Sequence, residues 1–99
     1  MRVISRRTLR DFCLSHADSC EPLYEWYRVA SRANWQNLID VQATYKSAES
    51  VGNFTVFNIK GNRYRLMVDI VYSRQTIYIK YILTHSDYDK GDWKNDHYF

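Results

Sequence analysis

The chain has little of what would mark it as fibrous, disordered or membrane-spanning. Three glycines and one proline in 99 residues exclude a collagen-like or low-complexity linker chain. No apolar run approaches the ~20 residues needed to span a bilayer. Basic residues at Met1–Arg7 are not followed by a long apolar stretch, so this segment does not read as a secretory signal and the expected location is the cytoplasm. Cysteine is scarce too: Cys13 and Cys20 are the only two, seven positions apart. On one continuous helix their Cα atoms would lie ~10 Å apart, too far for a disulfide. With His16 between them and His85 and His97 distant, no zinc-finger spacing exists, and both cysteines read as reduced, partly buried thiols.

What is present is a globular composition. Hydrophobic residues make up 45%, charged residues 25% and aromatics 16%, with nine Tyr and three Trp, which argues against a disordered tail. The length suits a single domain, 1–99, with one modest core. The balance of 14 Lys and Arg against 11 Asp and Glu is mildly basic, compatible with a nucleic-acid partner without requiring one.

The hydrophobic period changes near residue 50 from helical to strand-like. Arg2-Val3-Ile4 reads as an edge or first strand, and Ser5 can cap a helix that carries Leu9, Phe12, Cys13 and His16. Asp18 or Ser19 can cap a second helix, with Pro22 tolerated in its first turn. Leu23, Trp26, Tyr27, Ala30 and Ala33 then form one apolar stripe. A third, short helix is predicted from Trp35 to Tyr45, with Leu38, Val41 and Tyr45 inward. Trp26 and Trp35 are expected in the core, and Arg6, Arg7 and Arg10 on a solvated helix face.

Residues 54–59, 63–72 and 76–84 are β-rich and separated by the turns Lys60-Gly61-Asn62 and Ser73-Arg74-Gln75. Alternation puts Tyr64, Leu66, Val68, Ile70 and Tyr72 on one face of the middle strand, and Arg63, Arg65, Met67, Asp69 and Val71 on the other. In the last strand it groups Ile77, Ile79, Tyr81 and Leu83 against Tyr78, Lys80, Ile82 and Thr84. The expected architecture is α+β, with helices packed on one face of a small antiparallel sheet. The other face would stay open, carrying Arg63, Arg65 and Lys80, with Lys60 at the adjoining turn. The segment Thr84–Lys94 borders it with a His, a Tyr, several carboxylates and two Lys. A rigid cationic face beside such a segment suits a polyanion better than an apolar ligand.

At these residues the chain resembles the HigB-type toxins of type II toxin–antitoxin modules, a branch of the RelE-like mRNA interferases. The resemblance is carried by Met1–Arg6, the Trp26-Tyr27 to Trp35 region, Val51-Gly52-Asn53, Val56-Phe57-Asn58-Ile59-Lys60-Gly61-Asn62-Arg63-Tyr64-Arg65-Leu66, and Leu83-Thr84-His85-Ser86-Asp87-Tyr88-Asp89-Lys90-Gly91-Asp92-Trp93-Lys94. It implies a RelE-like fold and an endoribonuclease that cleaves mRNA, commonly during translation on the ribosome. It also implies a helix-turn-helix antitoxin of the HigA type as partner, and the isolated toxin is expected to be a monomer.

RNA cleavage by 2′-OH attack needs a base, an acid and cations for the phosphorane charge, and no cofactor or metal. By match to the family's motifs, Arg65 faces the scissile phosphate, where a guanidinium can contact two oxygens. His85 and Tyr88 fall where acid and base groups are supplied, and their division of labour stays open. Tyr88 would need its pKa lowered to act as a base; otherwise it stacks or orients the phosphate. Lys60, Arg63, Lys80, Asp89 and Lys90 complete the expected RNA-binding set, with Asp89 orienting His85 or Lys90. The alternative reading is a module of the same fold that binds RNA or protein without cleaving.

Overall fold

A computed structural model describes residues 1–97. The elements are β1 (Arg2–Ile4), α1 (Arg6–Ser15), α2 (Cys20–Arg32), α3 (Leu38–Thr44), β2 (Glu49–Val51), β3 (Phe54–Ile59), β4 (Tyr64–Val71), β5 (Thr76–Thr84) and α4 (His85–Lys90). The α+β class and the three long strands are those read from the sequence. The five strands form one sheet in the order β1-β5-β4-β3-β2. All pairs are antiparallel except the short edge strand β1, which runs parallel to β5 through Val3 opposite Ile77.

Helix ends follow local side-chain chemistry. Ser5 caps α1 by accepting from the Arg7 amide at 3.1 Å. Asn37 caps α3 by accepting from Asp40 at 3.0 Å, so this helix starts later than Trp35. Neither expected cap closes α2. The Ser19 hydroxyl donates backwards to the His16 carbonyl at 2.6 Å, and Asp18 turns toward the β3–β4 hairpin.

Two cores result. The larger lies between α1–α3 and the sheet and contains Leu9, Leu23, Trp26, Trp35, Val41, Phe57, Leu66, Val68 and Ile77. Leu66 and Val68 are fully enclosed. The smaller lies on the opposite face, where Phe54, Val56 and Met67 are covered by Trp93, with Tyr81, Leu83 and Tyr88 at its margin. The expected open face is therefore covered: helices lie on one side, and α4 with the following 3₁₀ turn Asp92–Asn95 lies on the other. The reason is that Phe54, Val56 and Met67 are too apolar to be left in water.

A β-bulge explains a second difference. Met67 pairs with Tyr81 but Val68 pairs with Ile79, so Lys80 is an extra residue in β5. Facing residues inverts at that point. Ile77 and Ile79 share the helix-side face with Ile82, while Tyr81 and Leu83 join Met67 on the other. Strict alternation had grouped Tyr81 and Leu83 with Ile77 and Ile79.

The cysteines are also corrected. α1 ends at Ser15 and the chain reverses through the 3₁₀ turn Ala17–Ser19, bringing the Cα atoms of Cys13 and Cys20 to 4.9 Å, where they form a disulfide. The ~10 Å separation held only for one unbroken helix. The disulfide lines a groove of about 250 Å³ between α1 and α2. Arg6 is not simply solvated there: its guanidinium lies 5.1 Å from the Tyr24 ring centre and 5.2 Å from that of Tyr27.

Candidate active site

The candidate site forms where the β3–β4 turn, β4 and α4 meet. The turn is tight, with Lys60 at φ 51° and Gly61 at φ 62°. A lysine in that region is strained and is held by its surroundings. From the turn, Asn62 accepts from the Arg65 guanidinium twice, through its carbonyl at 3.0 Å and its side-chain oxygen at 3.1 Å. These contacts aim Arg65 along the covered face of the sheet, where it lies opposite Asn58 on β3 and Leu83 on β5.

α4 begins where β5 ends because Thr84 caps it, accepting from the Asp87 amide at 3.1 Å. It ends at Gly91, whose φ of 75° is the left-handed cap that glycine adopts at little cost. The Tyr88 carbonyl accepts from the Trp93 indole at 3.0 Å, and the two rings stack with centroids 5.1 Å apart. Trp93 thus fastens α4 to the smaller core and fixes the Tyr88 ring, which lies 5.5 Å from the Arg65 guanidinium.

Tyr88 has its pKa raised. Burial is the largest cause, with the Glu49 and Asp89 carboxylates adding to it and Arg65 opposing. The lowering that a tyrosinate base would require is absent, so this phenol is a donor at neutral pH. His85, one turn earlier on α4, holds Asp89 through Nδ1 at 2.9 Å, with both side chains about half exposed. Its backbone amide donates to the Arg63 carbonyl at 2.9 Å, which ties α4 to the turn. When Asp89 takes the Nδ1 proton contact, the lone pair of a neutral ring falls on Nε2.

The remaining expected residues are dispersed. Arg63 lies in the turn before β4 rather than in the strand, so it does not share a face with Arg65. It donates to Asp18 at 2.6 Å, and the Lys60 ammonium lies 3.8 Å from the same carboxylate. Lys80 is the exposed bulge residue of β5. Lys90 reaches Asp87 at 3.5 Å along α4. The single cationic face expected from alternation is therefore divided, with Arg65, Tyr88 and the His85–Asp89 pair at its centre. A cleft of about 330 Å³ opens beside them between β5 and α4, lined by Tyr81, Leu83, Asp87, Lys90, Asp92 and Trp93. Among the described residues, no group of three or more His, Cys, Asp or Glu is arranged to hold a metal ion.

Asn62 and Trp93 were given no role of their own in the sequence reading, and Asp18 was expected only as a helix cap. Trp93 was detectable, since a lone tryptophan after a strand with Met67 on its second face implies a cover. Asn62 and Asp18 act through turns whose geometry no periodicity reveals.

Residues 19–91 match a family model described as HigB_toxin, the RelE-like toxic component of a toxin–antitoxin system. The chain belongs to this family, and so carries the toxin half of a pair whose other half is an antitoxin. No curated protein matches the chain.

Proposed function

We propose that this toxin is an endoribonuclease that cleaves mRNA, most effectively on translating ribosomes, and thereby stops protein synthesis and growth. The observation that carries this reading is the Arg65–Tyr88 contact beside the His85–Asp89 pair. These groups supply a fixed cation, a neutral phenol and an oriented imidazole, which is the complement that 2′-OH attack requires.

In this reading the 2′ oxygen attacks the adjacent phosphorus and the bond to the 5′ oxygen breaks. His85 Nε2 takes the 2′ proton while Asp89 steadies the ring through Nδ1. Tyr88 donates a proton to the departing 5′ oxygen, and the neighbouring Arg65 stabilises the tyrosinate left behind. Arg65 also meets the extra charge on the phosphorane, which needs no metal. The products are a 2′,3′-cyclic phosphate and a 5′-hydroxyl. Lys60, Arg63, Lys80 and Lys90 track the RNA backbone at greater distance.

The antitoxin is read as a helix-turn-helix protein of the HigA type, and the toxin as a cytoplasmic monomer until it is bound. Among the described residues, no helix is long and apolar enough to cross a membrane.

The test is cleavage of a translated message in the presence of EDTA at a concentration that leaves ribosomes intact, followed by end-group analysis. A 2′-deoxy substitution at the cut site should block cleavage. A 5′-phosphate product would exclude this chemistry, and RNA binding without any cutting would establish the non-catalytic binding module instead.

A further inference from the structure

Asp18 lies in the 3₁₀ turn between α1 and α2, one residue before the stretch that matches the family. Its carboxylate gathers three groups from one end of the β3–β4 hairpin. The Tyr64 hydroxyl donates to Oδ1, Arg63 donates to Oδ2 at 2.6 Å, and the Lys60 ammonium lies 3.8 Å from Oδ2. The Tyr64 hydrogen bond, with Arg63 and Lys60 adding to it, holds the Asp18 carboxyl below the usual range.

The same short stretch holds the candidate site from its other side. Asn62 accepts twice from Arg65, and the Arg63 carbonyl accepts the His85 amide. Strand alternation makes the arrangement two-sided, because Tyr64 points to Asp18 and Arg65 to the opposite face. Residues 60–64 are therefore a plate between Asp18 and the site. The plate is strained at Lys60 and carries two cations that repel each other once the carboxylate is gone.

We propose that Asp18 is a positioning residue: by clamping residues 60–64 from the helix side, it sets the placement of Arg65 and His85 on the sheet side. The cleavage arm of this proposal rests on the ribonuclease reading, and the structural arm does not. Asp18 also offsets part of the charge of Lys60 and Arg63. Its loss should move two quantities in opposite directions, slowing cleavage while leaving RNA binding as tight or tighter.

The experiment compares the wild-type chain with Asp18→Asn, Asp18→Glu and the control Leu14→Ala, Leu14 being 81% exposed on α1. Circular dichroism measures the folded fraction of each. NMR reads the Arg65 and His85 backbone amides and the Arg65 Nε–H. Affinity for a single-stranded RNA oligonucleotide is measured against salt, and single-turnover cleavage is followed on a message carried by translating ribosomes. Asp18→Asn should shift the Arg65 and His85 resonances and slow cleavage by ~10- to 100-fold, the scale on which small misplacements act. Its RNA affinity should not fall, and its salt dependence should steepen by about one to two charges. Asp18→Glu should recover part of the rate.

Unmoved Arg65 and His85 resonances would overturn the clamp. So would rate and affinity falling together in proportion to the folded fraction, because that is the behaviour of a merely structural residue. If the wild-type chain itself does not cut, the ribonuclease reading falls, and the NMR comparison still decides for or against the clamp.

Discussion

The Arg65 guanidinium lies 5.5 Å from the centre of the Tyr88 ring, a contact that joins a residue of β4 to one of α4 across the covered face of the sheet. In the proposed reaction, a cation over the ring of a phenol that burial keeps protonated is matched to a charge that appears only during reaction. Arg65→Ala should therefore lower the single-turnover cleavage rate by about 10²–10³-fold, the range for removing one transition-state donor, with a smaller change in RNA affinity. Arg65→Lys should recover little, since an ammonium cannot reproduce the forked contact. Equal losses in rate and affinity would assign Arg65 to ground-state binding instead.

His85→Ala should cost about 10²–10⁴-fold in rate with RNA binding largely kept, as for a proton-transfer group. Asp89→Asn should cost less, because it disturbs the orientation of the imidazole without removing it. Single-turnover rates and RNA affinities of the three proteins provide the check: equal losses of rate and affinity in His85→Ala would assign His85 to ground-state binding instead.

Trp93 is 5% exposed and joins the smaller core to α4. Trp93→Ala should destabilise the fold by about 3–5 kcal/mol in urea denaturation, the range for truncating a buried aromatic. It should also slow cleavage, since Tyr88 loses both its stacking partner and the indole donor to its carbonyl. A variant as stable as wild type would show that α4 is held by other contacts.

Asp18 sets an acid limit on stability. Its folded-state pKa lies below the ordinary carboxylate value of 3.8, so at low pH the unfolded chain binds more protons than the folded one. The Asp18 contribution is fully present above the ordinary value and is lost as pH falls through the lowered one. Urea midpoints measured from pH 7 down to pH 2 should fall less steeply at the acid end for Asp18→Asn than for wild type.

The Cys13–Cys20 link closes a short loop. Loop-closure entropy assigns it about 2–3 kcal/mol, so reduction should lower the unfolding free energy by roughly that amount. A thiol assay in denaturant should find no free thiol before reduction and two after it. Two free thiols in protein purified without reductant would restore the assignment made from sequence spacing.

The sequence revealed the elements whose signals are local. Period-2 alternation located β3, β4 and β5, and the apolar stripe of Leu23, Trp26 and Ala30 placed α2 against the sheet. It also singled out Arg65, His85, Tyr88 and Asp89, which the fold brings into one neighbourhood. What it concealed depends on chain reversals and register. The turn after Ser15 makes the disulfide possible, and the break before Tyr64 sends Arg63 to Asp18 instead of to the sheet face. The second core is non-local, since Met67 meets Trp93 only after β5 and α4 have been laid down between them.

The bulge at Lys80 decides which deletions in β5 the candidate site can absorb, a question that substitutions do not probe. With one surplus residue, β5 serves two layers, delivering Ile77, Ile79 and Ile82 to one and Tyr81 and Leu83 to the other. Deleting Lys80 would remove the surplus residue and leave an unbroken pleat that still sets Ile77, Ile79 and Ile82 against Tyr81 and Leu83. Deleting Ile82 instead would turn Leu83 to the helix side and carry His85 and α4 out of register with Arg65. A gene library that samples codon deletions should therefore tolerate the loss of Lys80 and reject the loss of Ile82.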